Sequence, residues 1–433
     1  MTIFILRNAI PRINLKWLLL LTVTLFLIFL QFMCDRESPI KPPSSKGSIY
    51  GVVIDALTSL PIDGAIVIAS KNQVTDTTDS LGSFTLIDLS IGQETLTINA
   101  EGYETKNKVV EVKPDSQWIE ITLNRVAENL YLYVGTAGGN DLFVVDVDFM
   151  QKVDSLYFAP GHMQGLYITP GGTKLYITQG WPDSAVYYLD TKSRTYHPTS
   201  LFNGFIRFSE SEEGFFFRYG GGIFNLDTLT DRVTQIDTVT LGEIIAFDKK
   251  SPIIYYISND HLYSYDYYQK KITDSLSLPP AWNKAMTPDN SELYFTTPNG
   301  YLGVINIQSD AVEYITYANP NGEIAVTPDG QYVFVTDPGS TIPMSQGSGF
   351  LIVVKTSDHS LDGYIDVNPI AFENPTTSRI VITHSSNYAF AANSFGGDVF
   401  VTDNRQRKAI KRIDFRPIGA TIGPLVLGTK PKL

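Results

Sequence analysis

From Gly47 to about Leu123, apolar and polar residues alternate in short runs separated by turn residues, the period of half-buried strands. The runs are 48–55, 65–69, 83–87, 94–100, 109–112 and 118–123. Six or seven strands in so short a segment predict a small β-sandwich over residues 47–124. From Asn129 onward the alternation falls into a longer repeat. A turn between two apolar strands recurs as Thr169-Pro170-Gly171-Gly172, Thr287-Pro288-Asp289-Asn290 and Thr327-Pro328-Asp329-Gly330, with degenerate copies around Ser209, Asp248 and Thr383. The equivalent positions 169, 209, 248, 287, 327 and 383 are spaced 40, 39, 39, 40 and 56 residues apart. A further strand follows each anchor, at 187–190, 224–227, 263–266, 304–308, 353–355 and 400–403, and a unit lacking its own anchor precedes them at 145–148. Seven units of this period predict a seven-bladed β-propeller over residues 129–428.

The ends of the repeat predict how it closes. Residues 130–134 match the second strand of later units, while the strand that should precede them is already used by the sandwich at 119–123. Residues 419–425 fall where another innermost strand is due, 38 residues separating Thr383 from Thr421. The C-terminal strand is therefore expected to complete the first blade, which removes open sheet edges. The fold class expected is all-β: a small β-sandwich followed by a seven-bladed β-propeller closed by a C-terminal strand.

Two stretches carry resemblances. Gly51-Val52-Val53, Pro61-Ile62-Asp63-Gly64-Ala65, Thr78-Asp79-Ser80-Leu81-Gly82-Ser83-Phe84 and Glu101-Gly102-Tyr103 together resemble the carboxypeptidase regulatory-like domain. Gly64 and Gly82 sit in turns where positive φ is cheap only for glycine. That resemblance implies a transthyretin-like spacer or interaction module without peptidase activity. Val333-Phe334-Val335-Thr336-Asp337 and Leu175-Tyr176-Ile177-Thr178 resemble the YVTN-type propeller of bacterial exported and surface-layer proteins. Propellers serve as enzymes, binders and scaffolds alike, so the resemblance implies a shape and an exported setting only.

The N-terminus adds a location. Arg7, Arg12 and Lys16 precede a long apolar run from Trp17 to Met33, the pattern of an export signal. Its length also suits an uncleaved signal anchor, and both readings stay open. Cys34, the sole cysteine, stands where the run ends, so no intrachain disulfide can form. The segment resembles a bacterial lipoprotein signal peptide, which implies removal of residues 1–33, lipidation of Cys34 and a lipid-anchored place in the cell envelope. Residues 34–46, with their prolines and serines, read as a spacer. Beyond residue 33 there are 30 basic against 45 acidic groups and no basic run, which argues against nucleic acid as a partner.

Candidate chemistry is sparse. No phosphate loop, His-Glu-x-x-His pair, paired cysteines or EF-hand loop occurs, so no cofactor or metal is expected. Gly220-Gly221-Gly222 lacks a following lysine and reads as a turn; in Gln346-Gly347-Ser348-Gly349-Phe350 the glycines adjoin the serine and make no nucleophile elbow. His162, His197, His261, His359 and His384 are scattered, and a lone histidine is ordinarily a surface or capping residue. The repeat register places His162, Trp181, Tyr219, His261, Trp282 and Asn319 in loops of one face, an aromatic and polar ring suited to a protein or carbohydrate ligand, with rim packing as the bland alternative. Two insertions, at 338–349 and 370–377, account for the long interval and read as tolerated loops or a lid. The expected function is non-catalytic binding or scaffolding. The alternatives are a propeller enzyme of lactonase or quinoprotein-like type and a structural envelope role held through the sandwich.

Replacing Cys34 by Ser should release the protein from membranes or arrest its maturation, as read by cell fractionation. Unchanged fractionation with the signal retained would instead establish the anchor.

Overall fold

A computed structural model of the protein describes residues 46–431 apart from 138, 159–162, 181–183, 203, 210–213, 219–220, 240, 316–321, 338–348, 368–376, 394–395 and 416–420. Cys34 with its signal and its spacer but for Lys46, the first insertion but for Gly349 and the second but for Thr377 lie outside the described residues, as do His162, Trp181, Tyr219 and Asn319.

The first unit is two sheets facing one core. Lys46–Asp55 pairs antiparallel with Ser83–Ser90 and parallel with Ser116–Leu123. The second sheet holds Val74–Thr77, Ile66–Ala69, Gly92–Asn99 and Lys106–Val112 in that order. Alternate residues such as Ile49, Val53, Val67, Leu86, Leu96 and Ile121 meet between the sheets with no exposure. The short strand Val74–Thr77 has no buried position and left no apolar signature in the sequence. Gly64 and Gly82 take φ of 73° and 71°, as their turns require.

The rest of the described chain is seven four-stranded antiparallel sheets with a propeller-like arrangement. Six are meanders of consecutive strands. The other, hereafter the first sheet, takes Leu130–Ala137, Asp141–Asp146 and Gln151–Tyr157 from the start of the repeat, and its fourth member is Thr421–Thr429, paired antiparallel to Leu130–Ala137. The central strands are apolar on both faces, so each sheet must be covered twice. Successive side chains divide between neighbours: Leu175 and Ile177 join the core with the first sheet, Tyr176 the core with the third. Phe334 and its neighbours Val333 and Val335 split likewise between the seventh and fifth sheets. Every consecutive pair of sheets shares a core, and Leu132, Val134 and Phe143 of the first pack on Phe390, Val399 and Val401 of the seventh.

The repeated threonine has a mechanical reason. Thr287, Thr327 and Thr383, all buried, accept the backbone N–H five residues on, from Glu292, Tyr332 and Tyr388, on the side-chain hydroxyl. In the degenerate copy Asp248 uses its carboxylate, which accepts the N–H groups of Lys250 and Ser251.

The sandwich docks where the first and seventh sheets meet. Asp55, fully buried, accepts the Leu57 and Thr58 N–H groups at 2.8 and 2.7 Å, the Tyr103 hydroxyl at 2.9 Å and Nε of Arg125. The Arg125 guanidinium lies 4.7 Å from the ring centre of Tyr388 in the seventh sheet. Burial alone would raise the Asp55 carboxyl, but Arg125 and these hydrogen bonds outweigh it and hold it below its ordinary value. Burial pushes the Tyr388 hydroxyl up to about 12. Arg405 adds a second tie, donating to the Glu101 carbonyl and the Asn387 amide oxygen. The connections 383–387 and 404–407 lie at one end of the seventh sheet, so the opposite end, with its loops between second and third strands, is left uncovered by the sandwich.

Two outcomes follow. A chain ending after Arg416 loses the strand Thr421–Thr429, including the buried Ile422 and the partly buried Leu425 and Leu427. Its unfolding free energy should fall by several kcal/mol, at about 1.5–3 kcal/mol per large apolar side chain, and its denaturation midpoint with it; an unchanged midpoint would contradict the pairing. His359 lies between Glu313, 2.8 Å from Nδ1, and Glu292, 3.0 Å from Nε2, joining the sixth sheet to the fifth. Burial alone would lower its pKa, but hydrogen bonds and charge from the two glutamates raise it above its ordinary 6.5. This stabilisation is fully present below the unfolded value and is lost as pH rises through the folded one. The gap in melting temperature between wild type and His359→Gln should therefore narrow from about pH 6 to about pH 8.5; a gap constant with pH would exclude a charged imidazole.

Candidate functional site

The uncovered face is built in part by two connections of the fifth sheet. The strand pair Glu292–Thr296 and Leu302–Asn306 is joined by Thr297-Pro298-Asn299-Gly300-Tyr301. Proline suits the second position of such a turn, and Gly300 takes φ of 80°, where a side chain would be strained. The turn closes through the Gly300 N–H on the Thr297 carbonyl at 2.9 Å and the Tyr301 N–H on the Thr297 hydroxyl at 3.0 Å. The second connection, residues 278–283, crosses from the fourth sheet. It is pinned at its ends, with Leu278 N–H on the Asp260 carbonyl and Trp282 N–H on the Thr296 carbonyl, both 2.8 Å, and Pro279 and Pro280 stiffen it between.

These connections and the strand Val312–Ile315 enclose a groove of about 640 Å³ lined by Pro279, Pro280, Pro298, Asn299, Tyr301 and Tyr314, with Thr297 at its base. Tyr301 and Tyr314 meet edge to face with ring centres 6.4 Å apart, and Tyr314 packs likewise on Phe295, which is fully buried. The two tyrosines remain 43% and 48% exposed, so the rings are fixed from below and open above. The groove thus presents rigid apolar surface with few hydrogen-bonding side chains.

Of the residues predicted for this face, the structure describes His261 and Trp282. They lie in neighbouring connections, because Leu278 bonds the turn that precedes His261. Trp282 is 51% exposed beside the groove without lining it. His261 spends both ring nitrogens locally: Nδ1 is 2.9 Å from the Asn259 carbonyl and Nε2 is 3.0 Å from the Ser277 hydroxyl, with the ring stacked on Tyr263. A carbonyl only accepts, so Nδ1 carries the proton and Nε2 accepts from serine, the work of a hairpin cap. Tyr301 and Tyr314 were not singled out from the sequence, which holds 24 tyrosines with nothing in their spacing to mark this pair. Among the described residues no three His, Cys, Asp or Glu side chains come together so as to hold a metal ion.

No curated protein matches the sequence. Among solved structures the chain is similar to Kuenenia stuttgartiensis hydrazine synthase, at 13% identity over 56% of this chain and 76% of that one, with a TM-score of 0.46. It is similar to a Lactobacillus plantarum protein at 13% identity over 69% and 98%, TM-score 0.48. A Bacteroides uniformis protein held to be a 6-phosphogluconolactonase matches at 14% identity over 69% and 99%, TM-score 0.46. Similarity at this level carries no activity across to this chain. The family relationship that is shown concerns the N-terminal unit: residues 49–132 match the family model and form a CarboxypepD_reg-like domain.

Proposed function

We propose that this is an exported binding protein, tethered to a bacterial membrane through Cys34, whose seven sheets form a closed seven-bladed propeller completed by the C-terminal strand. The sandwich, docked at one end of the ring, acts as the spacer between anchor and propeller and leaves the opposite loop face free for a partner. The observation that carries the reading is the groove of Pro279, Pro280, Pro298, Tyr301 and Tyr314: half-exposed aromatic rings on a stiff, proline-held base. Its ligand is an extended segment of a partner protein. A glycan would need several convergent polar side chains, and Asn299 with two tyrosine hydroxyls supplies few, whereas flat aromatic and proline surface suits an extended, proline-bearing peptide.

The test is a peptide array and a glycan array probed with the wild-type protein and with Tyr301→Ala/Tyr314→Ala. Peptide binding should weaken at least tenfold in the double variant, since truncating two central aromatic contacts costs about 2 kcal/mol or more. Melting temperature should change little, because both rings are half exposed. Unchanged peptide binding would remove the groove from the function, and glycan binding that is lost with the tyrosines would replace the peptide by a carbohydrate.

A further inference from the structure

Inner strands of neighbouring sheets approach one another, Thr421–Thr429 lying against Met163–Ile168 and Thr377–Ile382, and Ile324–Val326 against Lys284–Met286 and Thr377–Ile382, and on or beside such strands the chain places a small set of charges. Lys284 bonds Glu243 at 2.8 Å. Arg379 pairs with Glu323 at 3.4 Å, and the second Glu323 oxygen accepts the Ile380 N–H at 2.8 Å. Arg207, on the strand Gly204–Phe208, has no carboxylate partner among the described residues. Its guanidinium lies instead over two rings, 5.1 Å from the centre of Tyr167 and 5.4 Å from that of Phe205, and one nitrogen donates to the Ile206 carbonyl at 3.1 Å. A guanidinium has five N–H donors in a planar fork, so most of its donors remain to be met.

Arg207 lines a cavity of about 250 Å³ whose other walls include Gln164, Tyr167, Glu323, Arg379 and Pro424. The strands contributing these walls come from five of the seven sheets, so the cavity exists only because the ring brings them together. Among the described residues two guanidiniums line it against one carboxylate, leaving local positive charge in a chain of net charge −12. A volume at the small end of ligand sites limits the occupant to a small molecule. The aromatic shelf fixes the plane of the Arg207 fork, and a planar fork is matched by the two oxygens of a carboxylate.

We propose that this inner cavity is a binding site for a small monocarboxylate, held bidentate by Arg207, with Gln164 and the Glu323–Arg379 pair meeting the polar groups on its far side. A monoanion balances the charge of the cavity, while the Glu323 carboxylate opposes a dianion. Burial raises the Glu323 pKa, with Arg379 and the Ile380 N–H acting against the rise, as fits a carboxyl set deep among protein atoms. The site is separate from the peptide groove and stands or falls independently of it.

Isothermal titration of the detergent-solubilised full chain with acetate, lactate and benzoate is the test. The wild type should show one saturable site for at least one of these acids, Arg207→Met should weaken it at least tenfold, and lactamide, the neutral counterpart of lactate, should not bind. Should the methionine variant fail to fold, Arg207→Lys serves: it keeps the charge and loses the fork, so it should bind at least fivefold more weakly than wild type. Absence of saturable binding for all three acids, full affinity in the folded arginine variant, lactamide binding as tightly as lactate, or inorganic phosphate binding more tightly than every acid would each overturn the assignment.

Discussion

A four-stranded sheet whose central strand is apolar on both faces cannot exist alone in water, and that constraint organises most of this molecule. Leu175-Tyr176-Ile177 shows it at the scale of three residues: all three are buried, yet the tyrosine and its neighbours point into different cores. Stacking sheets in a row would leave one apolar face bare at either end. Sharing a core between every consecutive pair, the seventh and first included, leaves none. The cost falls on the chain ends, since the first sheet must be assembled from two pieces of sequence nearly 300 residues apart, held by the pairing of Thr421–Thr429 with Leu130–Ala137 and by Lys430, which bridges Asp146 and Asp148. Polar clips then fix the rotation of one sheet on the next. Lys174 and Tyr176 of the second sheet grip Asp231 of the third, and Arg407 of the seventh grips Asp362 of the sixth while covering Tyr332.

The same logic holds the sandwich to the sheets of the repeat. Asp55 is the last residue of the first strand, and a carboxylate with no exposure is tolerable only when paired and hydrogen-bonded. Its partners come from three directions: its own turn, Tyr103 after the fifth strand of the sandwich, and Arg125 in the connection to the ring. Arg125 then presents its face to Tyr388, so one charge both completes the sandwich and docks it. Removing one partner of such a buried pair costs more than the pair contributes, about 3–5 kcal/mol, which gives the junction a strong preference for this arrangement.

The threonine register was legible because it rests on a bond within six residues: the hydroxyl of Thr327 reaches the Tyr332 N–H, so sequence and geometry repeat together. A strand missing at the start of the repeat and surplus at the chain end pointed to a pairing of the two ends, and Thr421–Thr429 does lie beside Leu130–Ala137. The outer strands were harder to see. Lys271–Ser277 is exposed at nearly every position, so no apolar period marks it, and Val74–Thr77 failed to stand out on the same ground. The sites were hidden by distance along the chain. His359 meets two glutamates 46 and 67 positions away, and the cavity at Arg207 is walled by residues from Gln164 to Leu425. In the sequence His359 is an ordinary turn residue between two strands and Arg207 an ordinary charged residue within one.

What separates a surface suited to binding from one that merely packs is whether the fold holds a group rigid while leaving it unsatisfied. His261 fails that condition, since both nitrogens are met within its own sheet. Trp282 meets half of it, its backbone tied at both sides and its indole open beside the groove. Tyr301 and Tyr314 meet it fully: a turn closed by Thr297 and Gly300 orients one, the buried Phe295 supports the other, and neither ring is covered. Arg207 meets it with charge, its plane set by two rings and most of its donors unmet. Both places depend on the packing of sheet on sheet, because the groove spans the fourth and fifth sheets and the cavity five of the seven. A fold made to hide apolar faces thereby leaves rigid surface where its sheets meet and at its centre, and those are the positions where a ligand would displace the least order.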